Sequence, residues 1–219
     1  MVVAALAWGL TAALAPQTSP ALARCHTATQ LGPRLYAAPP PICTDPKKTY
    51  SASIETTKGR IGVVMPPGSA PVTVNNFVVL AANGFYDGLN VWQVADWVVQ
   101  TGDPRGDGRG GPGYTLPDEP GPEAWIPGSL GMARLPGGVN GSQFFITKSA
   151  WPSPGPDATY NRFGTLVLGL DVVAQLTTSD RILKIEVRVS EEPSPAASPV
   201  PSPSGTPRGS PSPSARPSG

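Results

Sequence analysis

The octapeptide Asn140-Gly141-Ser142-Gln143-Phe144-Phe145-Ile146-Thr147 sets a glutamine two places before the second of two adjacent aromatic residues. Side chains alternate along an extended strand, so Gln143 and Phe145 share one face and Phe144 takes the other. A plain core strand accounts for the aromatics but not for a glutamine in phase with Phe145. One face therefore reads as core and the opposite face as the lining of a groove.

Outward from this strand the chain breaks into short apolar runs separated by glycine and proline. Residues 51–55 (S-A-S-I-E) and 59–65 (G-R-I-G-V-V-M) read as two strands at hairpin spacing, closed by Pro66-Pro67-Gly68. One amphipathic helix opens at Ala70-Pro71-Val72-Thr73, repeats Val74, Phe77, Val78, Ala81 and Ala82 at three and four, and stops at Gly84. Further strands are expected over residues 91–100, 129–134, 163–168 and 181–189, with a second short helix over 170–176. Many short strands with two helices point to a β-barrel with helical caps rather than a parallel α/β sheet. The glycine-dense stretch 102–114 lacks the Gly-Lys-Ser/Thr and the following helix of a phosphate loop. Its Asp103 has Tyr114 in place of the distal glutamate of a calcium loop. It reads as a tight loop.

Of 219 residues, 29 are proline and 25 glycine, but they are unevenly spread. Residues 190–219 hold nine prolines and nine serines, seven further prolines precede Thr49, and only 13 lie between Tyr50 and Val189. One folded domain is expected over 49–189, followed by a disordered, solvated Pro/Ser tail over 190–219. That domain carries ten Lys and Arg against twelve Asp and Glu, with no basic stripe, which argues against nucleic acid as a partner. The only histidine is His26 and the only cysteines are Cys25 and Cys43, all outside the domain. Ser-His-Asp, Cys-His and His-ligated zinc chemistry have no residues to use within it.

The N-terminal run 2–15 is too short to span a bilayer and suits the apolar region of a signal peptide, with A-x-A cleavage candidates at 13–15 and 21–23. Residues 1–24 are assigned as a signal peptide or membrane anchor and 25–48 as an extended linker. The expected location is extracytoplasmic, secreted or membrane-anchored, with a tether through the N-terminus as the alternative to cleavage. In an exported chain Cys25 and Cys43 either pair or remain free thiols.

Asn140 to Thr147, together with Gln100-Thr101-Gly102-Asp103-Pro104, Gly110-Gly111-Pro112-Gly113-Tyr114, Val74-Asn75-Asn76-Phe77, Gly84-Phe85-Tyr86-Asp87-Gly88 and Phe163-Gly164, resembles the cyclophilins in order and spacing across about residues 49–189. The resemblance implies a mainly β fold, a closed eight-stranded antiparallel barrel capped by two α-helices. It also implies peptidyl-prolyl cis-trans isomerase activity without a cofactor or metal, and proline-containing peptides in unfolded or exported proteins as partners of a monomer.

Carried onto this chain, the family pattern makes Phe145 part of the proline pocket, with Trp97, Val98 and Tyr160 in its wall. Gln100 and Gln143 then bond the substrate backbone, and Ala133 and Arg134 line the peptide groove. Where the family usually reads Phe-His-Arg, this chain has Val91-Trp92-Gln93, and the next segment is one residue short. The arginine that donates to the prolyl nitrogen is replaced, with Gln93 or Trp92 in its position and Arg134 or Arg109 as alternative donors. Gln93 and Gln143 are thus the candidate catalytic residues. The chain is expected to assist folding as an isomerase of reduced activity, or else to serve as a non-catalytic proline-peptide-binding scaffold or chaperone.

Overall fold

The computed structural model describes residues 18–121, 124–151 and 160–190. The apolar run 2–15, and all of the Pro/Ser tail but Ser190, lie outside the described residues. The strands, in chain order, are β1 (Gln30–Gly32), β2 (Leu35–Tyr36), β3 (Thr49–Thr56), β4 (Gly59–Met65), β5 (Gln93–Val94), β6 (Val98–Thr101), β7 (Thr115–Leu116), β8 (Ser129–Leu135), β9 (Gly138–Thr147), β10 (Arg162–Leu168) and β11 (Ile182–Ser190). The helices are α1 (Pro71–Ala82) and α2 (Leu170–Gln175).

Eight strands form one curled antiparallel sheet in the order β11-β3-β4-β10-β8-β9-β6-β5, with β7 added beside β9. Strand number, sense and helical caps agree with expectation, but the ladder does not close into a full barrel. Strand β5 is only two residues long and turns straight into β6, so no ladder joins it to β11. The seam is spanned instead by the single bridge Asn90–Arg181. Three backbone bonds reinforce it: Val91 to the Asp180 carbonyl at 2.9 Å, Gly88 to Ile182 at 2.8 Å and Ile182 to Leu89 at 2.9 Å.

The curl encloses a core that α1 plugs from one end. Phe77 on α1 packs edge-on to Phe144 at 5.5 Å and against Phe163 at 5.2 Å and Tyr86 at 5.3 Å. Burial runs continuously from Thr73 to Ala81, so the helix is covered all round rather than along one stripe. Polar residues on it need internal partners. Asn76 donates to the Gly141 carbonyl at 2.7 Å and accepts from the Tyr114 hydroxyl at 2.7 Å, which fastens the helix to the N-G-S-Q stretch of β9.

Residues 25–48 differ from the expected extended linker, because they are folded onto the barrel. Cys25 and Cys43 form a disulfide. Arg34 donates to the carbonyls of Phe85 at 2.8 Å and Asp87 at 2.5 Å, and Tyr36 N–H to Pro112 at 2.8 Å. The buried Asn75 Oδ1 accepts from the backbone of Cys43 and Thr44. The docking extends upstream: Ser19 N–H bonds to Val187 of β11 at 2.9 Å, and Leu22, in a 3-10 turn over Pro20–Leu22, is buried. Proline makes this strap extended, but polar groups left open by the barrel hold it down.

Candidate active site

Strand β9 sorts its residues by alternation. Phe144 points into the core, completely buried against Phe77 and Tyr86, while Phe145 lies on the other face, 3% exposed. Strands β6 and β8 flank β9, with Gln100 opposite Phe145 in one register and Gly131 opposite it in the other. Together they frame a cavity of about 230 Å³ to which Gln93, Trp97, Val98, Gln100, Ala133 and Arg134 contribute. Phe145, Trp151 and Tyr160 complete its lining. Every residue expected at the site reaches this cavity except Gln143.

Gln143 is fully buried behind the wall. Its Nε2 donates to the carbonyls of Gly108 at 3.1 Å and Gly110 at 2.8 Å, so its Oε1 is turned toward Gln100 and accepts from Gln100 Nε2 at 3.0 Å. Gln143 therefore reaches the cavity only through its bond to Gln100. It fixes the Gln100 amide with the nitrogen inward, which leaves Gln100 Oε1 as the acceptor still open to a peptide N–H.

The neighbouring polar residues of the motif pin the same loop. Asn140 Oδ1 accepts from the backbone of Ser142 at 2.9 Å and Gln143 at 2.8 Å, while its Nδ2 donates to Gly110 at 3.0 Å. Ser142 Oγ donates to the Gly102 carbonyl at 2.7 Å. Gly102 is left-handed at φ +84°, and a Cβ there would run into the Ser142 carbonyl.

Two residues competed for the arginine position, and geometry separates them. The Trp92 ring lies over Gly108, which has φ +81° and whose absent Cβ would come within 2.7 Å of that ring. Its indole Nε1 is buried with no partner among the described residues. Gln93 is the one on the cavity wall, exposed and opposite Gln100 across the β5–β6 pair. Of the two, Gln93 is the one that brings a neutral amide to the cavity.

Arg134 sits on the rim, engaged in a two-point ion pair with Asp118 whose longer contact is 3.1 Å. The guanidinium's hydrogen bonds hold the Asp118 carboxyl below the usual carboxylate range, and the same bonds raise the Arg134 pKa. Arg109 belongs to a separate open groove with Arg105, Tyr114 and Leu35. No cluster of His, Cys, Asp and Glu suited to a metal occurs among the described residues.

Sequence reasoning missed two aromatic residues. Trp151 lines the cavity and packs edge-on to Trp97 at 4.7 Å, and Trp125 stacks on Phe145 at 5.3 Å with 25° between the rings. Both stand in Pro/Gly-rich loops without periodicity, and their tryptophan identity was the sole signal available.

The profile of the family described as cyclophilin type peptidyl-prolyl cis-trans isomerase/CLD matches residues 51–196. A peptidyl-prolyl cis-trans isomerase of Synechococcus elongatus is 40% identical over 139 residues, covering 62% of this chain and 94% of that protein. Peptidyl-prolyl cis-trans isomerase B of Bacillus subtilis is 41% identical over 126 residues, covering 56% and 85%. The crystal structure of a cyclophilin type isomerase of Cryptosporidium parvum in the presence of the dipeptide Ala-Pro is similar at a TM-score of 0.56 and 28% identity. That similarity covers 63% of this chain and 98% of the other. Curled antiparallel sheet, two caps, N-G-S-Q-F-F strand and these relatives together mean that the chain belongs to the cyclophilin-type peptidyl-prolyl cis-trans isomerase family.

Proposed function

We propose that the chain isomerises Xaa-Pro peptide bonds in protein substrates at the Phe145 cavity, at a rate limited by the neutral donor Gln93. The observation that carries this reading is the aromatic cavity on Phe145, Trp151 and Tyr160, bordered by the amides of Gln93 and Gln100. Rotation about a peptide bond faces a barrier of about 18–20 kcal/mol, and for prolyl bonds, whose trans preference is only about 0.5–1 kcal/mol, uncatalysed exchange still takes tens to hundreds of seconds. It needs no covalent nucleophile and no proton shuttle.

The barrier falls when amide resonance is lost. As the bond twists, the prolyl nitrogen regains a lone pair, and a donor aimed at it favours the twisted state over either planar one. The aromatic wall holds the prolyl ring, Gln100 Oε1 accepts a substrate N–H, and the Gln93 amide supplies the donor. An uncharged amide gives a bond about half as strong as a charge-assisted one. Two kcal/mol less at the transition state slows turnover about thirtyfold.

The test is turnover and affinity measured on wild type and Gln93→Arg with one Xaa-Pro peptide. Wild type is expected to accelerate exchange above background, and Gln93→Arg to raise kcat at least tenfold with Kd changed less than twofold. A wild type that binds the peptide without accelerating it favours the second reading, a proline-peptide-binding scaffold or chaperone, for which the same neutral amide speaks.

The protein is further proposed to act outside the cytoplasm on exported chains, as a monomer. The Cys25–Cys43 disulfide supports an oxidising compartment. No helix among the described residues is long and apolar enough to cross a membrane. Of the two cleavage candidates, 21–23 includes the buried Leu22, whereas 13–15 lies outside the described residues. Cleavage beside 13–15 would leave the docked turn intact, and N-terminal sequencing of the exported protein tests it.

A further inference from the structure

Trp125 does not line the cavity, yet it touches three residues that do. Its ring stacks on Phe145, lies 5.2 Å from Trp151 and meets Tyr160 edge-on at 6.3 Å. Its backbone carbonyl accepts from the Trp151 N–H at 3.3 Å. The next residue is anchored to the sheet: Ile126 N–H donates to Ser129 Oγ at 3.0 Å and its carbonyl accepts from Thr147 Oγ1 at 2.6 Å.

The place for the indole is made by a missing side chain. Gly131 is the β8 partner of Phe145, and a Cβ there would stand 2.5 Å from both Phe145 Cζ and Trp125 Cη2. Contacts that close are not found for real Cβ atoms, so any larger residue at 131 would separate the two rings. Phe145, alone on its strand, would be free to rock about its χ angles. With Trp125 against its face and Tyr160 edge-on at 5.5 Å, it is clamped from two sides.

We propose that Trp125 is a positioning residue for the prolyl pocket, setting the Phe145 ring and, through it, Trp151 and Tyr160, and that Gly131 is the residue that admits it. The inference rests on the isomerase reading for its kinetic consequence, but the ring contact itself is read separately.

Trp125→Ala, Trp125→Phe and Gly131→Ala are compared by Xaa-Pro exchange kinetics, by the NMR shifts of the Phe145 ring protons and by thermal melting. Trp125 is only half-buried, so its removal is expected to leave the fold intact, with a melting temperature within a few degrees of wild type. Loss of about one good aromatic stack corresponds to about a tenfold fall in kcat/KM, carried mainly by KM. Trp125→Ala and Gly131→Ala are both expected to show it together with displaced Phe145 shifts, and Trp125→Phe to restore both. The proposal is overturned if both variants stay within twofold of wild type in kcat/KM, or if their losses follow melting temperature and Trp125→Phe restores nothing. A wild type without turnover whose Phe145 shifts still respond to Trp125→Ala would count against the isomerase reading and leave the clamp standing. Unmoved shifts would count against the clamp whatever the kinetics.

Discussion

At the scale of single residues, the site depends on which way one amide faces. Gln143 is not among the residues lining the cavity, yet its bonds to Gly108, Gly110 and Gln100 decide that the Gln100 nitrogen is engaged and its oxygen left open. Gln143→Leu keeps the volume and removes the amide. Two buried carbonyls lose their donor at a cost of about 1–3 kcal/mol, and Gln100 is released to turn. The expected result is a lowered urea midpoint together with a rise in KM of tenfold or more; an unchanged KM would contradict the positioning role. Alternation along 140–147 was enough to put Gln143 and Phe145 on one face. What hides Gln143 from the cavity is a loop more than 30 residues earlier, and no local pattern reports such a cover. The same limit applies to Trp92 and Gln93: spacing left both open, whereas the structure lays the Trp92 ring over Gly108 and puts Gln93 on the cavity wall.

At the scale of elements, α1 shows what a sequence reveals about a helix start and what it withholds. Pro71 in the first turn and the apolar recurrence mark the helix correctly, but Ala70 cannot cap it. The cap arrives from elsewhere: the Glu119 carboxylate accepts from Val72 N–H at 2.9 Å, and from Thr73 N–H and Oγ1 at 2.8 Å each. The buried Asn161 locks the arrangement, accepting from Glu119 N–H at 2.7 Å and donating to Thr73 Oγ1 at 2.8 Å. This one carboxylate ties the helix that plugs the core to the loop carrying Asp118, the partner of Arg134. Glu119→Ala leaves two helix N–H groups without an anion and is expected to lower stability by about 1–2 kcal/mol in urea unfolding at constant m. A smaller Arg134 contribution to peptide binding should accompany it. The strands 51–55 and 59–65 were legible because each face is consistently core or solvent. The two-residue strand β7 was not, since two residues make no pattern, and the single strand expected over 91–100 is divided into β5 and β6.

At the scale of the whole molecule, two seams hold the curled sheet. One is the gap between β5 and β11, where Asp180 accepts from Thr57 Oγ1 at 2.6 Å and from Thr177 N–H and Oγ1 at 2.8 Å. Those bonds, that of Thr57 foremost, draw its carboxyl from the ordinary 3.8 down to about 2. A depressed folded pKa contributes stability that is present above the unfolded value and lost as pH falls through the folded one. The denaturation midpoint should accordingly fall between about pH 4 and pH 2, and Asp180→Asn should flatten that limb. The second seam is the strap of residues 18–48. Its residues 25–48 read as an extended linker from their prolines and 18–24 fell within the segment assigned to a signal peptide or anchor, and only the Cys25–Cys43 pair hinted at structure. Its attachments are backbone carbonyls at Phe85, Asp87, Pro112 and Val187 together with the buried Asn75 side chain, which composition cannot disclose. Closing an 18-residue separation is worth about 3 kcal/mol, so Cys25→Ser with Cys43→Ser should destabilise by that order while kcat changes little.

Acceleration of Xaa-Pro rotation at the Phe145 cavity is measured by NMR exchange spectroscopy on a short Xaa-Pro peptide with catalytic amounts of protein. Wild type should exchange cis and trans signals far faster than the uncatalysed tens to hundreds of seconds, and Phe145→Ala, matched for folded content, should return the peptide to that background. Exchange at background rate with well-folded wild type, or acceleration that survives Phe145→Ala, would contradict the account.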